Sequence, residues 1–372
     1  MSELRFLPQE SVIWGHGVLQ DTVTRLADYE IYRPIAFTSP STNALYERFI
    51  GPGLSQAAAP VSDLPPHVPD VAVQNALEAV LQADAQSIIA LGGGSVLDAA
   101  KAVSHLHHRR TGRFLPIAAF PTTLSGSEFS HYFGVTETDG SRKFKRSYAV
   151  RETTPRLVVI DPLLVESTPR SILLSSAIKA IDHAVEGMRK VECDHPHAIL
   201  AATGAQRFFS VLERWPSGME TREAIASGRI TRNDLLQLQI AAWQCYFYPA
   251  SISYGLSHRI GHILGGTFGL PHSVTSCITL APVIRACSDF YGEKLGIFTS
   301  VGEGLVSALA LADRIEGIVG MLGLPSAIGS FDLPVQALPT VAALLEEHYP
   351  HEVSDLGARA PEKLITLLRS IW

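Results

Sequence analysis

Short apolar runs alternating with helical patterns fill the first third of the chain. Ile35-Ala36-Phe37-Thr38, Ser87-Ile88-Ile89-Ala90-Leu91 and the run from Phe114 to Phe120 read as strands. Asn43 to Ile50 and Val71 to Ala83 instead repeat apolar residues at helical spacing. Strands and helices taken in turn predict βαβ units around a largely parallel sheet. Residues 132 to 160 break this rhythm, and Val135 to Gly140 with Leu157 to Pro162 predict a hairpin returning to the sheet. Beyond Pro169 the period is helical almost throughout: Ser171 to Arg189, His197 to Glu213, Thr231 to Trp243, Gly255 to Gly265 and Gly302 to Leu322. The expected organisation is an α/β domain over residues 1–162 and an all-α domain over 163–372.

Composition narrows the function classes. The 372 residues are 46% hydrophobic and 18% charged, enough to bury sizeable cores. A net charge of -6 argues against a nucleic-acid or anionic-membrane surface, which needs concentrated Lys and Arg. The basic cluster His107-His108-Arg109-Arg110 is too short to change this and is expected in a solvated loop. Cys193, Cys245, Cys277 and Cys287 form no C-x-x-C pair, so reduced, mostly buried thiols are expected rather than a zinc cluster or disulfide framework. No basic-then-apolar leader opens the chain, and no apolar run reaches the roughly 18 residues of a membrane span. A cytoplasmic protein is the expectation.

Candidate chemistry begins at Leu91-Gly92-Gly93-Gly94-Ser95-Val96-Leu97-Asp98-Ala99-Ala100-Lys101. Glycines after a strand let a ligand approach the backbone, and the helix that follows offers free N–H groups and a positive dipole end to a pyrophosphate. The string is not G-x-G-x-x-G, so an ordinary Rossmann fingerprint does not apply. It resembles instead the signature loop of the iron-type alcohol dehydrogenases and maleylacetate reductases. Phe120-Pro121-Thr122-Thr123-Leu124-Ser125-Gly126-Ser127-Glu128 is similar to a second motif of that superfamily, in a shorter form like that of the reductase branch.

The resemblance implies a dehydroquinate synthase-like, iron-type alcohol dehydrogenase fold, whose N-terminal domain binds NAD(H) or NADP(H). It implies cofactor contacts from Gly92, Gly93, Gly94, Ser95, Asp98, Thr122, Thr123 and Ser125. The acid that often selects NAD at the end of the second strand is replaced by Ser39, so a 2′-phosphate is not repelled and the choice of cofactor stays open. Lys145 aligns with a lysine that reaches the cofactor and substrate, while a solvated basic hairpin accounts for it equally.

The helical half carries paired polar residues in apolar helices. Lys179 and His183, and His258 and His262, stand at i and i+4 on single helix faces, and His272 follows a glycine turn and a proline. The superfamily holds a divalent ion with one Asp and three His. By resemblance, His183, His258 and His272 fall on the histidine positions, and His262 on a further histidine tied to proton transfer. The Asp position holds Lys179, and an ammonium repels a dication. Asp182, one residue before His183, is expected to point elsewhere on the helix.

A metal is therefore not expected. The anticipated catalytic set is Lys179, His183, His258, His262 and His272, with Lys179 in apolar surroundings supplying the charge an ion would have supplied. The expected activity is metal-independent, maleylacetate reductase-like hydride transfer between NAD(P) and a small-molecule carbonyl or alcohol, or a related C=C-conjugated keto acid, in a homodimer. Open alternatives are a metal-dependent alcohol dehydrogenase, a β-hydroxy acid oxidation with decarboxylation, and a dehydroquinate synthase-like cyclase or lyase. The aromatic run Tyr246-Phe247-Tyr248 either lines the pocket or fills space between helices.

Overall fold

The computed structural model describes residues 3–54, 57–139, 142–298 and 308–372. The chain divides into two compact units. The first comprises Met1–Thr168, Arg232–Ile240 and Pro249–Ser251, and the second Pro169–Thr231, Ala241–Tyr248 and Ile252–Trp372.

The first unit is built on a parallel sheet of β1 (Ser11–Trp14), β2 (Pro34–Phe37), β3 (Ser87–Gly92), β4 (Ile117–Pro121) and β7 (Leu157–Ile160), in the order β1-β7-β4-β3-β2. Strands β2, β3, β4 and β7 are buried along their whole length. That explains their unbroken apolar composition, because crossover helices cover both faces of a parallel sheet. On one face Ile89, Leu91, Ala118, Phe120, Leu157 and Val159 meet Leu19 and Val23 of α1 (Val18–Thr24). The helices α2 (Asp70–Gln82) and α3 (Gly94–Thr111) follow β2 and β3. Strands β3 and β4 lie side by side in register, Gly92 opposite Pro121. The glycine string and the threonine string therefore emerge together at the carboxyl end of the sheet, where open α/β sheets take their ligands.

Two local expectations are corrected. The hairpin pairs β5 (Tyr132–Asp139) with β6 (Arg142–Ala149) as a separate antiparallel ribbon, and Leu157–Ile160 joins the parallel sheet on its own. The cluster His107 to Arg110 is the end of α3, not a loop. Cations suit a helix C-terminus, where they meet the negative end of the dipole, and Gly112 closes this one at φ 78.

The second unit is helical. Its central helix α4 (Arg170–Glu186) is buried at every residue from Leu173 to Glu186. Against it pack α5 (Pro196–Leu212), α7 (Leu256–Phe268) and α8 (His272–Ala286), with α9 (Ala308–Met321) on α8; α6 (Arg232–Cys245) is divided between the two units. Of the expected helix from Gly302 to Leu322, the part before Ala308 lies outside the described residues. No helix among the described residues is long and apolar enough to cross a membrane. All four cysteines are free, three of them buried and Cys193 exposed.

Candidate active site

In the first unit the glycine turn is fixed by what surrounds it. A Cβ on Gly92 would stand 2.5 Å from Val96 Cγ2, and one on Gly93 would stand 2.9 Å from Thr123 Cγ2. Gly93 precedes the first turn of α3, so the backbone of Gly94 and Ser95 forms the helix mouth. Thr122 donates its N–H to Gly92 O at 3.1 Å, which ties the two motifs together, and within the second motif Thr123 Oγ1 donates to Ser125 Oγ at 3.2 Å. Ser95 Oγ accepts from the His67 N–H. Ser39 stands in the turn after β2, its hydroxyl 2.9 Å from that of Ser41, and Thr42 Oγ1 anchors this turn to Leu91 O. Lys145 lies on β6 with its side chain outside the described residues.

Asp98 and Lys101, three residues apart on α3, point at one loop. Asp98 accepts from Ser127 Oγ at 2.8 Å and from the Gly134 N–H at 3.1 Å. Lys101 is fully buried and donates to Ser127 O, Ser127 Oγ and Tyr132 O. Burial pushes its ammonium down to about 8, against the pull of Asp98 and Glu128. Burial likewise lifts the Glu128 carboxyl to about 7. Lys101 was visible only as the last letter of the glycine string, and its role as an anchor could not be read from spacing.

In the second unit, α4 brings Lys179, Asp182, His183 and Glu186 to one face by their three- and four-residue spacing. Lys179, 3% exposed, donates to Asp182 Oδ2 at 3.1 Å and to His258 Nδ1 at 2.9 Å. Asp182 is wholly buried, and the same oxygen accepts from Ser276 Oγ at 2.5 Å. Asp182 therefore does not point elsewhere, and Lys179 is not in apolar surroundings. The i to i+3 step puts the two charges together as a buried ion pair.

An ammonium can only donate, so His258 must present Nδ1 as an acceptor and carry its proton on Nε2. Burial first, and the Lys179 charge second, hold both His258 and His183 well below the usual imidazole value. Both rings are neutral at working pH. His183 stacks on Tyr246 at 4.1 Å and lies 5.3 Å from the His258 ring, with its Nδ1 buried and without a hydrogen-bond partner among the described residues. Tyr246 of the aromatic run thus covers His183, while Phe247 packs on Trp243 and Tyr248. His262 is half-buried, 4.7 Å from His258 between ring centres. His272 opens α8, and its side chain is outside the described residues.

Sequence reading missed a second tier. Glu186 accepts from the His258 N–H at 3.2 Å and from Tyr291 Oη at 3.0 Å, and so caps α7 from a neighbouring helix. A Cβ on Gly255 would sit 2.8 Å from Glu186 Oε2 and 2.9 Å from Tyr291 Oη, so a side chain there would push this hydrogen-bonded pair apart. Burial, helped by Asp182, lifts the Glu186 carboxyl to about 8. Its heptad distance from Lys179 was the available signal.

Buried titrating groups make the fold sensitive to acid. Burial holds the His197 imidazole at about 4 against its ordinary 6.5, and His131 likewise at about 4. Between these limits the unfolded chain binds protons that the folded chain refuses. Their contribution is complete above pH 6.5 and is lost as pH falls toward 4. Glu128 and Glu186 act oppositely, keeping protons the unfolded chain releases, so they favour the fold as pH falls from 8 to 4.5. In His197→Gln, the loss of stability across the acid range should shrink by about 1–3 kcal/mol relative to the parent. Denaturant midpoints measured at several pH values check this, and an unaltered acid slope would discount His197.

Comparison with known proteins identifies the family. The sequence profile of the iron-containing alcohol dehydrogenases matches residues 8–162. The maleylacetate reductase of Pseudomonas aeruginosa is 33% identical over 269 residues, covering 72% of this chain and 71% of that protein. The crystal structure of maleylacetate reductase from Agrobacterium tumefaciens superposes with a TM-score of 0.81 at 21% identity, covering 100% of this chain and 98% of that one. Sulfoacetaldehyde reductase from Bifidobacterium kashiwanohense, solved with NAD+, gives 0.78 at 19% identity, with 100% and 98% covered. With an α/β unit opening on the glycine turn and a helical unit holding the histidines, the chain belongs to the iron-type alcohol dehydrogenase superfamily, on its maleylacetate reductase side, and is an oxidoreductase.

Proposed function

We propose that this oxidoreductase reduces a carbonyl at the expense of NAD(P)H, with the Lys179 ammonium and the His258 imidazole doing the work of a metal ion. The observation that carries the reading is the 2.9 Å contact between Lys179 Nζ and His258 Nδ1. A divalent ion does not fit beside it. One would-be histidine ligand already has a ring nitrogen facing the ammonium, and the carboxylate of Asp182 neutralises that ammonium instead of an ion.

The glycine turn suits a dinucleotide, because the backbone of Gly93 and Gly94 can approach a pyrophosphate that side chains would hold off. A bound NAD(P)H supplies the hydride, which adds to the carbonyl carbon. The charge that grows on the carbonyl oxygen is met by Lys179 and by the His258 Nε2–H, whose tautomer Lys179 fixes. His262, half-buried and not screened from solvent, delivers the proton that completes the alcohol. A keto acid of the maleylacetate type is the first substrate to offer, on the strength of the relative in Pseudomonas aeruginosa; there the hydride would add to the C=C carbon conjugated to the ketone, the charge would still grow on the carbonyl oxygen, and the proton would complete a saturated keto acid. Cofactor oxidation followed with maleylacetate and a panel of simpler carbonyls tests the reading. Absence of any carbonyl-dependent oxidation of NADH or NADPH would dismiss it.

Because Ser39 stands where a carboxylate would reject a 2′-phosphate, NADPH is accepted alongside NADH. Ser39→Asp should shift the ratio of kcat/KM toward NADH by about tenfold or more. Equal discrimination before and after the change would remove Ser39 from cofactor choice.

A further inference from the structure

A cavity of 250 Å³ lies in the first unit between α2, α3 and the β5–β6 ribbon, outside everything used above. Val73, Ala102, Leu106 and Val135 form its apolar floor. Phe133 and Tyr148, directly opposite in the ribbon register, stack at 5.2 Å with their planes 10° apart and make a flat wall. Tyr148 cannot swing freely, because its hydroxyl donates to Glu137. The His105 ring stands 6.1 Å from both aromatic rings.

The polar groups on this lining divide sharply. The acids are already satisfied: Asp70 accepts from the N–H groups of Val71 and Thr138, and Glu137 from Tyr148 with Arg146 beside it. The bases are not. Arg109 makes no hydrogen bond or salt bridge among the described residues, although its neighbour Arg110 is paired with Glu78. The His105 Nδ1 is shut off from solvent and has no hydrogen-bond partner among the described residues. Burial and the Arg109 charge push His105 below its ordinary value, so it is a neutral ring and Arg109 is the cation. What remains unspent is a flat apolar wall, an apolar floor and one positive charge.

We propose that this cavity binds a small planar carboxylate, one aromatic ring bearing a single anionic group, with the ring against Phe133 and Tyr148 and the carboxylate on Arg109. Ring stacking and a guanidinium–carboxylate pair are interactions the lining leaves unmade, and the carboxylate can also meet the His105 ring when its Nδ1 carries the proton. The volume falls short of the roughly 300 Å³ at which drug-sized ligands begin, so one ring is the limit. The site is separate from the phosphate loop, since Ala102 lies eight residues beyond Gly94 and so about 12 Å along α3. It does not depend on the chemistry proposed for Lys179.

Titration calorimetry of the full chain with benzoate tests it, with benzyl alcohol as the uncharged control. Benzoate should bind at least about tenfold more tightly than benzyl alcohol, and Arg109→Gln should remove that advantage. Leu106→Trp, at a half-buried position that tolerates a larger ring, should abolish binding of both while leaving carbonyl reduction at its normal rate. Lack of benzoate binding to the unaltered chain would overturn the proposal. Binding that survives Leu106→Trp, or that ignores the loss of Arg109, would place the ligand elsewhere and overturn it equally.

Discussion

Replacing Lys179 by methionine should lower kcat by about a hundred- to a thousand-fold while leaving the cofactor KM nearly unchanged. The magnitude is that of deleting one preorganised donor at a developing oxyanion. It follows from position: the ammonium is 3% exposed and held by Asp182 on one side and His258 on the other, so it does not reorganise during the reaction. Methionine matches the length of the stem but carries no charge and leaves the His258 tautomer free. A kcat effect without a cofactor KM effect separates chemistry from damage to the fold, since the glycine turn belongs to the other compact unit. Full activity in Lys179→Met would remove the lysine from the mechanism.

The second large effect is on stability. Asp182→Ala strips the counter-charge from a buried ammonium and should destabilise the chain by about 3–5 kcal/mol, because an uncompensated buried charge is far costlier than a pair that was never built. It also leaves Ser276 Oγ without its acceptor at 2.5 Å. The double replacement Lys179→Met with Asp182→Leu should recover most of that loss, since both charges leave together. Urea unfolding of the two single variants and the double variant measures the coupling. If Asp182→Ala alone is as stable as the parent, the ion pair is not the buried partnership described above.

Much of this was legible in the sequence, for identifiable reasons. The glycine turn shows itself because only glycine survives where Val96 and Thr123 crowd the backbone. Lys179, His183, His258 and His262 stand out because polar residues at helical spacing are costly in apolar helices unless they meet one another. What did not show was partnership across elements. Asp182 looked like a bystander beside His183, and only the coordinates place it under Lys179. The heptad spacing of Glu186 from Lys179 shows which face it shares, but not that it caps a different helix. The basic end of α3 reads as a loop because composition there reports solvent exposure, whereas the helix dipole decides the conformation.

Turnover measured on chelator-treated protein of known metal content is the sharpest examination of the central claim, that a fixed ammonium stands in for an ion. Carbonyl-dependent NAD(P)H oxidation at an undiminished rate with no stoichiometric iron or zinc is the expected result. Activity that disappears on chelation and returns only with a divalent metal would contradict it.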